Sequence, residues 1–139
     1  MFKDLSTTLI TLFNNNLVEP NGSVKAAYRQ FPDRLEKNTG LPIIVVKLIS
    51  SIDEVAAIGE LSGGTKTKYV TFMVQIEVWA STLEEADDVA GDVDDLLWAN
   101  RGSLTNCDNV VMVGATDASL AENTRGKVMT YMIRYVKKS

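Results

Sequence analysis

The sequence predicts a single small α+β domain: a mostly antiparallel or mixed β-sheet, an N-terminal helix and a second amphipathic helix packed on it, and an extended arm. Three observations carry that reading. Leucines and phenylalanines recur at helical spacing near the start, residues 69–80 alternate strictly, and a second helical stripe opens directly after that strand. A chain of 139 residues is long enough to bury one core without disulfides or metal. We read residues 1–139 as that one domain, with 50–68 as a flexible arm or long hairpin loop.

The elements follow in order. Phe2, Leu5, Leu9, Leu12 and Phe13 lie on one side of a helix, with Lys3, Asp4, Thr7, Thr8 and Thr11 on the other. Asn14-Asn15-Asn16 weakens it, and Pro20 with Asn21-Gly22 ends it in a turn. Val24, Ala26 and Tyr28 alternate as a short strand does, and Phe31-Pro32-Asp33 marks another turn. Pro42 is tolerable at the start of a strand, and the β-branched run Ile43-Ile44-Val45-Val46 suggests one covered on both faces. Ser50 to Lys68 carries little periodicity and ends in a polar stretch. A loop that long inside a compact domain is usually functional or disordered, and an extended hairpin or arm that reaches a neighbour is the functional form.

Tyr69 to Ala80 is the best strand. Val70, Phe72, Val74, Ile76, Val78 and Ala80 make an apolar face destined for the core, while Tyr69, Thr71, Met73, Gln75, Glu77 and Trp79 make a mixed one. Ser81-Thr82-Leu83-Glu84 fits a capping box for a helix running to about Trp98. Its stripe is Leu83, Ala86, Val89, Ala90, Val93, Leu96 and Leu97. Val110 to Val113 then reads as a short strand, Ala115 to Thr124 as a polar loop, and Gly126 to Val136 as a long final strand.

Composition narrows the chemistry. Cys107 is the one cysteine and there is no histidine. Disulfide frameworks, cysteine-built zinc sites and histidine-dependent nucleophilic catalysis are therefore excluded. No apolar run approaches the roughly 18 residues that span a bilayer, so no membrane role is expected. The opening Met1-Phe2-Lys3-Asp4 mixes charge into an amphipathic pattern, unlike a signal peptide. That leaves Asn21-Gly22-Ser23 without the secretory context a glycosylation sequon needs. A net charge of -4 argues against nucleic-acid wrapping. Gly63-Gly64-Thr65-Lys66-Thr67 lacks phosphate-loop spacing and leads into a strand, not a helix. Cys107 beside Asp108 has no base to form a thiolate. Tyr131 and Tyr135 fit sheet packing better than a base-stacking platform, because only Lys127 and Arg134 accompany them in the strand. The expectation is a non-enzyme with no cofactor and no metal.

The second helix is strongly acidic. Glu84, Asp88, Asp92 and Asp95 share a face, so like charges repel, and Asp92, Asp94 and Asp95 sit at the unfavourable end of the helix dipole. Three readings follow, in descending order: a solvated face, an interface with basic residues of a partner or second copy, and divalent-metal binding. Helical carboxylates lack the loop geometry that a calcium site needs.

In this order of elements the chain resembles the tail terminator proteins of tailed bacteriophages, also called tail completion or head–tail joining proteins. The resemblance rests on the amphipathic helix Phe2 to Leu17, the strand Pro42 to Val46, the alternating strand Thr71 to Ala80, the capped helix from Ser81 through Leu97, and the closing strand Val128 to Val136. It implies a non-catalytic ring, typically a hexamer, in the virion neck or tail, assembled in the host cytoplasm. Its implied partners are itself, the tail tube protein and the head-side connector or stopper, with DNA passing through the channel without specific binding. Under that resemblance the candidate subunit-interface or channel residues are Glu84, Asp88, Asp92 and Asp95, the basic Lys25, Arg29, Arg34, Lys37, Lys66 and Lys68, and Met73 and Trp79 on the mixed strand face. Alternatives are a head completion (stopper or adaptor) protein, a tail tube protein, or a small cytoplasmic ligand-binding or regulatory domain.

Overall fold

The computed structural model describes residues 2–30, 40–54, 67–121 and 123–138. Its elements are α1 (Phe2–Asn16), β1 (Ala26–Tyr28), β2 (Ile43–Glu54), β3 (Thr67–Ala80), α2 (Leu83–Asn100), β4 (Cys107–Ala121) and β5 (Thr124–Lys138). The five strands form one sheet in the order β1-β2-β3-β5-β4. β1 runs parallel to β2, and every other neighbour is antiparallel. Both helices pack on the same face: α1 over β1 and β2, α2 over β3, β5 and β4. The architecture is the expected α+β domain with a mixed sheet.

The core lies between that face and the helices. α1 contributes Phe2, Leu5, Leu9 and Phe13, and α2 contributes Ala86, Val89, Ala90, Val93 and Leu97. From the sheet come Ile44 and Val46, the whole apolar face of β3, and Met129, Tyr131, Ile133 and Tyr135 of β5. Burial of each large side chain contributes about 1.5–3 kcal/mol. Phe72 anchors an aromatic group, its ring 5.6 Å from Phe2 and 6.1 Å from Tyr135.

α1 stops where its sequence weakens. The Leu17 and Val18 amides both donate to the Phe13 carbonyl, at 2.7 and 3.1 Å. At Gly22 a Cβ would stand 2.2 Å from the Leu17 carbonyl oxygen, so the returning turn requires glycine. α2 is capped one residue later than expected. Thr82 is the N-cap, and its hydroxyl accepts from the Glu85 amide at 3.1 Å. Thr82 and Glu85 repeat the spacing of Ser81 and Glu84, so the pattern fits either pair.

Two strand boundaries differ from expectation. Ala115 to Ala121, expected as loop, continues β4, paired to β5 as far as Ala121↔Thr124. Ala115 to Leu120 lie at a sheet edge with side chains exposed apart from the half-buried Ala118, so backbone hydrogen bonds hold the stretch and no hydrophobic alternation announces it. Residues 50–54, expected within the arm, extend the β2–β3 ladder beyond a bulge at Leu48/Ser50, and 67–68, also expected there, pair with β5 at Lys138 and Lys137. The remainder of that arm, 55–66, lies outside the described residues, as does the turn expected at Phe31-Pro32-Asp33.

Candidate subunit interface

The acidic face of α2 is fully exposed: Glu84, Asp88, Asp92 and Asp95 point away from the sheet. Among the described residues none of the four has an ion-pair partner. The inner flank of the helix is different. Lys127 of β5 bridges Asp87 of α2, at 3.2 Å, and Asp117 of β4, at 3.1 Å. Hydrogen bonds that its ammonium donates to Asp117 and then Asp87 raise its pKa. The Tyr131 hydroxyl donates to Asp94 at 2.9 Å. Burial first, and then Asp94, pushes the Tyr131 phenol well above its usual range. So Asp87 and Asp94 dock the helix, while Glu84, Asp88, Asp92 and Asp95 are exposed.

The basic candidates sit at the other end of the sheet where they are described. Lys25 pairs with Glu19, and the Arg29 guanidinium lies 4.8 Å from the Phe2 ring centroid. Arg34, Lys37 and Lys66 fall outside the described residues, and of Lys68 only the backbone is described, within β3. Pocket space at this end is an open groove of about 670 Å³ between Phe2, Tyr28, Arg29, Gln30, Lys47 and Leu48.

The sheet face away from the helices carries the mixed side of β3. Met73 is half-buried there, between Ser50 of β2 and Met132 of β5. Trp79 is buried within the chain, packed with Ile43 and Val45 and flanked by Tyr28, Leu41 and Ala118. The sequence pattern puts Trp79 on a surface for neighbours, but its own sheet already covers it. Beside it lies a feature the sequence reading missed. Glu77 is 3% exposed, and its carboxylate accepts from Trp79 Nε1 at 2.9 Å and Gln75 Nε2 at 2.6 Å. Lys47 Nζ closes on the same carboxylate at 2.9 Å. Such a buried charge is tolerable because each oxygen has a donor. The only sequence signal was polar residues at every second position, Gln75 and Glu77, ahead of a tryptophan. Further along this face Arg134 lies 3.7 Å from the Tyr69 ring centroid and pairs with Asp108 at 3.3 Å.

Nothing here assembles an active site among the described residues. Among the described residues no three of Cys, Asp and Glu converge to hold a metal, and no helix is long and apolar enough to cross a membrane. Cys107 is half-buried, and burial pushes its thiol up to about 11. What the surface does offer is two apolar sheet edges. Leu48, Ile49 and Ile52 are exposed on β2, and Val111, Met112, Val113 and Leu120 on β4, with Trp98 of α2 65% exposed beside them.

With that geometry in view, the comparisons are informative. No family model and no curated protein matches the chain. Among solved structures it is similar to a chain of the "Virion of native gene transfer agent (GTA) particle". The TM-score is 0.52 at 15% identity, covering 98% of this chain and 91% of that one. The two share a fold from end to end.

Proposed function

We propose that this chain is a structural virion component of a phage-like particle, a ring-forming tail terminator or head–tail connector that caps the tail tube and joins it to the head. One observation carries the reading: the likeness in fold to a virion chain spans nearly the whole of both chains. The sequence pattern led independently to the same class. The described surface agrees with assembly rather than turnover, since exposed apolar side chains gather on two sheet edges while the acidic residues point outward from α2. In a ring, heterologous contacts join different patches of successive copies and need no self-complementarity.

Native mass spectrometry over a concentration series, with electron microscopy of the same sample, tests this. A closed ring of defined copy number, expected to be a hexamer with a central channel, supports a terminator or connector. Open filaments would assign the chain to the tube instead. A strict monomer or dimer at every concentration would count against the ring and favour a ligand-binding or regulatory domain.

A further inference from the structure

Resting on the ring reading, we propose how the copies join: β4 of one protomer adds to the outer edge of β2 on the next, so that the sheet continues from subunit to subunit. Three observations carry this.

The first is the state of the edges. Beyond Val45, where β1 stops pairing, no described strand covers β2, and β4 is the opposite border of the sheet. Exposed edges of this kind present unpaired N–H and C=O groups, and proteins that stay monomeric blunt them with lysine, proline or inward charges. β4 has no Lys, Arg or Pro from Cys107 to Ala121. On β2 the one lysine from Ile43 to Glu54, Lys47, turns onto Glu77 instead of guarding the edge. β4 does carry bulges at 107/109, 112/114 and 119/121, so the regular run Asn109–Met112 between two of them is the stretch offered.

Strand direction is the second. β2, β3, β5 and β4 are successively antiparallel, so β2 and β4 themselves run in opposite directions. A copy placed beside the first with its strands aligned therefore meets it in an antiparallel junction, with the helices of both on the same side.

Charge selects this pairing over its rival, β4 against β4 about a twofold axis. The twofold junction would bring two acidic α2 helices together. Head-to-tail addition instead sets the acidic α2 beside the half with α1 and β1, whose exposed charges among the described residues are Lys3, Lys25 and Arg29 against Asp4 and Glu19. Like charges juxtaposed across an interface oppose it, and opposite ones favour it.

Paired cysteines read the junction directly. Ser50 and Ile52 of β2, and Asn109 and Val111 of β4, are all exposed and on the face away from the helices. In a Cys107→Ser background, one cysteine from each strand is introduced in all four combinations, and the full chain is oxidised after assembly. At least one double variant should give a ladder of covalent oligomers on a non-reducing gel, and no single variant should. A covalent dimer from Asn109→Cys or Val111→Cys alone would overturn the proposal in favour of the twofold. If native mass spectrometry finds the ring while no double variant cross-links, the junction is wrong and the ring stands. If no ring forms at all, both readings fall. As a second measurement, Ile52→Lys should leave the circular dichroism of the monomer unchanged and raise the concentration needed for assembly roughly tenfold or more. An unchanged assembly midpoint would overturn the edge pairing.

Discussion

The indole of Trp79 lies directly across Gly126 of β5: a Cβ built on that glycine would stand 2.6 Å from Cε3 and Cζ3 of the ring. The two residues are paired in register, and the ring cannot swing aside freely because its Nε1 is bonded to Glu77. Gly126 is therefore the space that lets a tryptophan lie flat on the sheet. Replacing a strand glycine gains about 0.4–1 kcal/mol through the unfolded chain. Overpacking costs about 1–3 kcal/mol. The second effect should win, so Gly126→Ala should destabilise by about 1–2 kcal/mol and Gly126→Val by more, measured by urea denaturation. A stabilised Gly126→Ala would show that the indole moves without cost.

The two faces of β3 should respond very differently to charge. Ile76 is fully buried between sheet and helices, and Ile76→Asp places an unpaired carboxylate there. The penalty for an unpaired buried charge, added to the lost packing, rivals the whole stability of a domain this size. Circular dichroism should find Ile76→Asp unfolded. Thr71→Asp, half-exposed on the other face and paired in register with Arg134, should remain folded.

These two faces were legible because a strand repeats every two residues and β3 keeps its apolar set strictly in phase. The helices were legible for the corresponding reason, since Leu5, Leu9 and Phe13, or Val89, Val93 and Leu97, recur at helical steps. β4 was legible only in part. Residues Ala115 to Ser119 are mostly exposed on both faces of an edge strand, so no burial pattern marks them, and their order depends on pairing with β5. Long-range polar contacts were hidden too: the bridge from Asp87 to Lys127 spans two elements, and no local pattern predicts it. For the candidate interface, the exposure of the acidic α2 face follows from its helical phase. Which sheet edges stay unpaired depends on strand order, and nothing local to β2 or β4 states that order.

Lys127 ties α2 to β4 as well as to its own strand β5, beside the Tyr131–Asp94 bond and the apolar core, and removing it should loosen the docking. Lys127→Met should lower the melting temperature modestly at neutral pH, because two carboxylates lose one shared cation in a partly solvated setting. The pH dependence has a definite sign. The lysine pKa is raised in the folded state by Asp117 and Asp87, so its contribution is fully present below the unfolded lysine value, about 10.4, and is lost as pH rises through the higher folded one. The gap in melting temperature between wild type and Lys127→Met should thus hold from neutrality to about pH 10 and shrink above it. A gap that is already gone at pH 8 would mean the bridge is not what stabilises the docking.

Cys107 closes the β4 side of the core, where its amide accepts no role in chemistry and simply donates to the Leu104 carbonyl at 3.0 Å. Burial holds its thiol up at about 11, well above the ordinary cysteine value near 8.5. At pH 8 the native chain should therefore carry roughly two hundredfold less thiolate than an exposed cysteine, and the thiolate is the reacting species. Iodoacetamide should label the folded protein slowly and the urea-unfolded protein at the rate of a free thiol. The same shift means that the buried thiol favours the folded state below the unfolded cysteine pKa and loses that advantage as pH rises towards 11. Fast labelling of the folded chain at pH 8 would show Cys107 to be activated, and would reopen the question of a nucleophile that the rest of the site gives no reason to expect.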